Sequence, residues 1–115
     1  VQEMAKGCGL SFELWADAVP IVPKALELAK DGIIPGGAYN NMGYLAGDVA
    51  VESGVALERA DAMYDPQTAG GLLITVPEAR SGELLQRLED LGVPGAAIGV
   101  VKARGDKLVR LRPGH

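Results

Sequence analysis

The run Asp65-Pro66-Gln67-Thr68-Ala69-Gly70-Gly71-Leu72-Leu73-Ile74 constrains this chain more than any other feature, because it joins a turn signal and a polar cluster directly to an apolar stretch. Asp65 before Pro66 favours turn initiation, and Gln67 and Thr68 bring an amide and a hydroxyl to the turn. The paired Gly70 and Gly71 admit a backbone approach that a β-carbon would block. Leu72, Leu73, Ile74 and Val76 then read as a central strand buried on both faces. Binding-site loops are often built in this way, carried on a rigid element.

The rest of the chain supplies enough apolar material to bury such a strand. Of 115 residues, 48% are hydrophobic, which suits one compact domain over residues 1–115 with a core of its own. The single Cys8 excludes an intrachain disulfide, so the composition fits a reducing cytoplasm. No apolar run approaches the roughly 20 residues of a membrane span, and no basic segment leads into a hydrophobic one at the start. A net charge of −4 argues against general nucleic-acid binding. The exception is a short basic region holding Lys102, Arg104, Lys107, Arg110 and Arg112. It reads as alternating positions of a terminal hairpin, solvated or guarding a sheet edge, rather than as a phosphate or RNA patch.

Local signals divide the chain into alternating elements. Val1 is no initiator methionine, and residues 1–7 read as the last turns of a helix stopped by Gly7, so the chain is expected to be a fragment with its first half upstream. Leu10, Phe12 and Leu14 alternate with Ser11, Glu13 and Trp15 as a half-buried strand that Pro20 closes. Pro23 suits the first turn of a helix bearing Val22, Leu26, Ala29 and Ile33, with Lys30 near its negative end and Gly32 as stop. A second helix is placed from Asn40 or Asn41 through Met42, Tyr44 and Leu45. Residues 49–62 are ambiguous. Pro77 opens the clearest helix, with Leu84, Leu85, Leu88 and Leu91 as its stripe, Glu83 and Arg87 spaced to pair, and Gly92 and Pro94 ending it. Residues 97–101 and 108–111 read as two strands joined in a hairpin around Arg104, Gly105 and Asp106. These elements predict an α/β (α+β) layered sandwich with a mixed sheet and packed helices.

Four segments carry a family resemblance, in order along the chain. The opening run closely resembles the Asp-Pro-Gln-Thr-Ser-Gly-Gly-Leu-Leu signature of selenophosphate synthetase, with Ala69 in place of the serine. Glu3-Met4-Ala5-Lys6-Gly7-Cys8-Gly9-Leu10 resembles its Glu-Met-Ala-x-Gly-Ser-Gly segment, and Gly32-Ile33-Ile34-Pro35-Gly36-Gly37-Ala38-Tyr39-Asn40-Asn41 its Gly-Ile-x-Pro-Gly-Gly-Thr-x-x-Asn stretch. Residues 92–101 are similar to its last strand. The resemblance implies the layered C-terminal domain of the aminoimidazole ribonucleotide synthetase-like superfamily. It also implies a parent enzyme, likened to selenide, water dikinase, that uses ATP, magnesium and water to turn selenide into selenophosphate, releasing AMP and orthophosphate. The parent is expected to be a cytoplasmic homodimer paired through N-terminal domains, which this chain lacks. The fragment is expected to be an inactive monomer that holds no cofactor stably and walls the cleft of the parent. Runners-up are the equivalent domain of a thiamine-monophosphate kinase, hydrogenase-maturation protein or aminoimidazole ribonucleotide synthetase, or a non-catalytic interaction domain.

Nine residues are candidates for lining that cleft: Gly36, Gly37, Asn40, Asn41, Asp65, Gln67, Thr68, Gly70 and Gly71. Gly36 and Gly37 ahead of a helix have the makings of an anion site; they could equally form a tight turn with one asparagine as an N-cap. Residues 65–71 could line the cleft or simply seat the strand against the neighbouring domain. Ala38 and Ala69 each remove a hydroxyl that the family has. Cys8 stands where the family has serine and is expected to be inert and partly buried, since only Lys6 nearby would lower its pKa. No metal ligands are assigned: His115 is at an end expected to fray, and Asp17, Asp31, Asp48 and Asp61 lack ligand spacing.

Overall fold

The computed structural model describes residues 1–67 and 69–114. Helix α1 (Gln2–Cys8) runs past Gly7 and stops at Gly9, whose φ of 69° lies in the left-handed region. Strand β1 (Ser11–Trp15) follows, with Phe12 and Leu14 buried between half-buried neighbours, as the alternation predicts. It ends well before Pro20, in a single 3-10 turn at Ala16–Ala18. Helix α2 (Pro23–Lys30) starts on its proline, but of the expected stripe only Ala29 is buried, and Val22 and Ile33 are exposed.

Helix α3 (Gly36–Leu45) begins earlier than the asparagines. Two glycines look like a turn because each costs about 1 kcal/mol against alanine in a helix. Here that cost is accepted because Gly37 makes a close contact described below, and Ala38 beside it is fully buried. The ambiguous stretch resolves into strand β2 (Val49–Val51) and helix α4 (Leu57–Met63). Arg59 of α4 reaches the 3-10 turn, donating to the carbonyls of Ala16 (2.9 Å) and Val19 (3.3 Å) and lying 3.4 Å from the Asp17 carboxylate. Helix α5 (Glu78–Asp90) matches its local signals, including an Arg87–Glu83 ion pair at 2.8 Å. None of its residues is fully buried.

Strands β3 (Gly99–Lys102) and β4 (Val109–Arg112) complete a four-stranded mixed sheet in the order β2-β4-β1-β3. The sheet runs parallel from β2 through β4 to β1, and β3 is antiparallel to β1. The expected terminal hairpin is therefore not formed: β1 lies between its two strands. Ser11 at the start of β1 explains how the connection crosses. Its hydroxyl donates to the Lys107 carbonyl (2.6 Å) and accepts from the Gly105 amide (2.9 Å), pinning the linking loop over the end of the strand.

Register places Phe12, Leu14, Val109 and Leu111 on one sheet face. With Ala5 and Leu108 they form the core, which Val49, Val55, Met63 and Ile98 flank. The opposite face carries charge. Glu13 pairs with Lys102 (2.8 Å) on one side and Arg112 (3.1 Å) on the other, while Glu52 takes Arg112 (3.3 Å) and Arg110 (3.8 Å). The basic residues of β4 thus lie on an interior strand and are engaged by carboxylates rather than guarding an edge. The Lys102 ammonium hydrogen-bonded to Glu13 is the main influence holding that carboxyl below the usual carboxylate range, with Arg112 adding to it against the opposing pull of burial.

The expected central strand at residues 72–76 is not one. Among the described residues this segment pairs with no strand; Leu72 is 90% exposed and Ile74 51%. An apolar run has no period to choose a face, and the central positions are taken by β1 and β4, whose alternation suits one buried and one charged face.

Candidate functional site

The candidate residues fall into two groups that the fold brings to one corner and a third that it turns outward. Helix α3 carries the first group, and the loop leaving the C-terminus of α4 the second. Contact between them is close: a β-carbon on Gly37 would sit 2.7 Å from Pro66 Cγ, so only glycine lets the loop lie against the helix here. Four residues further along the same helix, Asn41 Nδ2 donates to the Tyr64 carbonyl at 2.8 Å. That carbonyl belongs to the cap residue of α4, so the asparagine satisfies an acceptor that the helix end leaves over. Neither asparagine is an N-cap. Asn41 is a bridge between elements, and Asn40 is exposed on the outer side of α3.

Within the loop, Gln67 Nε2 donates to Asp65 Oδ2 at 3.3 Å, folding the amide back over the turn. Its Oε1 lies 3.2 Å from where a Gly70 β-carbon would stand. Thr68 lies outside the described residues, as does His115. Asp65 is half-buried, whereas Gln67, Gly70 and Gly71 are exposed. Gly71 differs from Gly37 in an instructive way: a β-carbon there meets nothing within 4 Å, and its φ is not positive. Nothing among the described residues requires glycine at position 71.

Two titratable groups at the end of α4 are shifted. Burial, and then the nearby Glu58, raise the Asp61 carboxyl above its ordinary value. Burial, with Asp61 adding, raises the Tyr64 phenol in the same way. Among the described residues no group of three or more His, Cys, Asp or Glu side chains gathers as a metal-binding cluster. Among the described residues the corner therefore offers backbone amides at the start of α3, the Asp65 carboxylate and the Gln67 carboxamide, and no metal-binding set. Gly36 is exposed at that helix start, where unpaired amides favour an anion, while Asp65 disfavours one.

Cys8 is exposed rather than partly buried, with its thiol 3.7 Å from the Ala5 carbonyl. It borders an apolar groove of about 550 Å³ between α1, β1, β3 and residues 75–77, with Met4, Leu10 and Val101 among its walls. No described helix is long and apolar enough to cross a membrane.

A small α/β domain with a mixed sheet and one tightly fitted helix–loop corner is the class of structure these features define. No family model matches the chain. Curated relatives do: a selenide, water dikinase from Clostridium botulinum (strain Eklund 17B / Type B) is 41% identical over 110 residues, 96% of this chain and 32% of the relative. Those of Clostridioides difficile (strain 630) and Treponema denticola (strain ATCC 35405 / DSM 14222 / CIP 103919 / JCM 8153 / KCTC 15104) are each 42% identical, covering 93% and 95% of the chain. Over nearly its whole length, the chain is homologous to the selenide, water dikinases. It spans about a third of the length of the curated relatives it matches.

Of the residues that join the two halves, Gly37 and Asn41 are among the sequence candidates and Pro66 belongs to the turn signal, while Tyr64 carries no signal of its own. Pro66 and Tyr64 act through a ring contact and a backbone carbonyl, and neither contact produces a pattern along the chain. The one available signal of the contact was a glycine beside a small apolar residue, Gly37-Ala38, which suits close packing as well as a turn.

Proposed function

We propose that this chain is the C-terminal domain of a selenophosphate synthetase. In the parent, selenide, ATP and water become selenophosphate, AMP and orthophosphate. The carrying observation is the corner itself: two segments with the family's wording, 29 residues apart between Gly37 and Pro66, meet in a contact only glycine allows. The homology to selenide, water dikinases supports the same reading.

In this reading the domain walls a cleft whose other side is an N-terminal domain. Phosphoryl transfer depends on positioned phosphates and on metal ions that carry developing charge. When bound, the nucleotide and magnesium would supply that chemistry; among the described residues no group of three or more His, Cys, Asp or Glu side chains is gathered to hold a metal. The contribution of this chain is to orient and exclude: α3 holds the 65–67 loop, Asp65 and Gln67 present polar groups at its rim, and exposed Gly71 leaves room for an approaching surface. Homodimerisation of the parent through its N-terminal domains, and a cytoplasmic location in keeping with the single thiol, belong to the same proposal.

An assay of AMP and orthophosphate release from ATP, with selenide and magnesium, tests it. The full-length protein containing this chain should release AMP only when selenide is present, and the 115-residue chain alone should release none above background. Selenide-independent turnover by the full-length protein, or clear turnover by the chain alone, contradicts the proposal.

A further inference from the structure

Resting on that reading, we propose that Asn41 is a positioning residue: it holds the 65–67 loop in its working place through the Tyr64 carbonyl, without itself touching nucleotide. Three observations converge. Its amide donates to that carbonyl at 2.8 Å, a link spanning 23 residues of sequence. The carbonyl immediately precedes Asp65 and Pro66, so the bond acts on the first residues of the loop. One helical turn away, Gly37 receives Pro66 at a separation that admits no side chain, so the loop is fixed at two points along α3.

The Tyr64 and Asp65 amides donate to the carbonyls of Asp61 and Ala62, three residues back, at 3.1 and 3.2 Å, so α4 ends in the tighter bonding that closes a last turn. Asn41 holds the end of α4 to α3 one residue before the loop, and the Gly37–Pro66 contact holds the loop itself. Losing one neutral hydrogen bond corresponds to about a fivefold change in a local opening equilibrium.

The test has two parts. In the 115-residue chain, amide hydrogen exchange is followed for wild type, Asn41→Ala, the donor-free isostere Asn41→Asp, and Asn40→Ala. Tyr64 and Asp65 should exchange about fivefold faster in both Asn41 variants while the Phe12 and Trp15 amides of β1 keep their rates, and Asn40→Ala should match wild type at Tyr64 and Asp65. Unchanged exchange at Tyr64 and Asp65, or acceleration spread evenly over the sheet, overturns the proposal. In the full-length protein, Asn41→Ala should lower kcat for AMP release about fivefold with the KM for ATP held within about twofold. A raised KM for ATP with unchanged kcat would make Asn41 a direct binding group and overturn the positioning role. Equal kcat in variant and active wild type overturns that role alone and leaves the dikinase reading standing. A full-length wild type that releases no AMP removes both.

Discussion

Strand β1 and the 72–76 segment are both short apolar stretches, and the molecule treats them in opposite ways. The less apolar one holds the middle of the sheet, with a partner strand on each side and Phe12 and Leu14 in the core. The more apolar one pairs with no strand among the described residues, and its first leucine is almost wholly exposed. Alternation gives a strand two different faces, and β1 uses both: one packs on the core and the other places Glu13 between Lys102 and Arg112. A run of apolar residues without alternation needs cover on both sides, and here Leu72 and Ile74 are left without it. The comparison assigns β1 to stability of the domain and leaves Leu72 and Ile74 in solvent, while Thr75 and Val76 border the groove along α1, β1 and β3.

That contrast can be broken most forcefully at Gly99. It is paired with Leu14, and a β-carbon there would run into the Glu13 backbone carbonyl, which cannot swing aside as a side chain could. Gly99→Val should destabilise the chain by at least about 3 kcal/mol in denaturant titration, or prevent folding. An intermediate loss is expected at the helix–loop corner. Gly37→Ala pushes against the Pro66 ring and should cost about 1–3 kcal/mol, with exchange at Tyr64 rising ahead of that in β1.

The charged face gives a smaller, pH-dependent effect. Because the Glu13 carboxyl is held below its ordinary value in the folded chain, its contribution is present above the ordinary carboxylate range near about 4.3 and is lost as pH falls through the lower folded value. Asp61, raised in the folded state, works in the opposite sense: its contribution is present at low pH and lost as pH rises through its folded value. Glu13→Gln should therefore flatten the acid limb of stability measured between about pH 7 and about pH 3. Smallest of all should be Leu72→Ser. With its side chain in solvent, the substitution should shift the stability of the isolated chain by no more than about 0.5 kcal/mol. A loss of more than about 2 kcal/mol would show that the segment is packed after all and collapse the comparison.

What could be read from the sequence follows the same physics. Helix α5 was legible from end to end because its signals are local: Pro77 at the start, Glu83 and Arg87 one turn apart, Gly92 at the stop. β1 was legible from alternation. Strand β2 has only three residues, too few to show a period, and the N-cap of α4 is Ala56, which has no polar side chain to cap with. The hairpin was misread because two strands close in sequence are the default pair, and the Ser11 hydroxyl that carries their connection over β1 leaves no mark in the chain between them. At the corner, the members of each half were legible as motifs. Their junction was not, since the fit of Gly37 to Pro66 and of Asn41 to Tyr64 exists only once α3 and α4 are packed.

The central proposal, that residues 70–74 face something beyond this domain and that the loop ahead of them lines a cleft, is tested most directly by Gly71→Val. A β-carbon at this position meets nothing within 4 Å among the described residues, and the φ of Gly71 is not positive. The melting temperature of the 115-residue variant should match wild type, while selenophosphate formation by the full-length variant should fall by about tenfold or more, as a misplaced surface against reacting groups does. A full-length Gly71→Val protein that is as active as wild type would contradict the account.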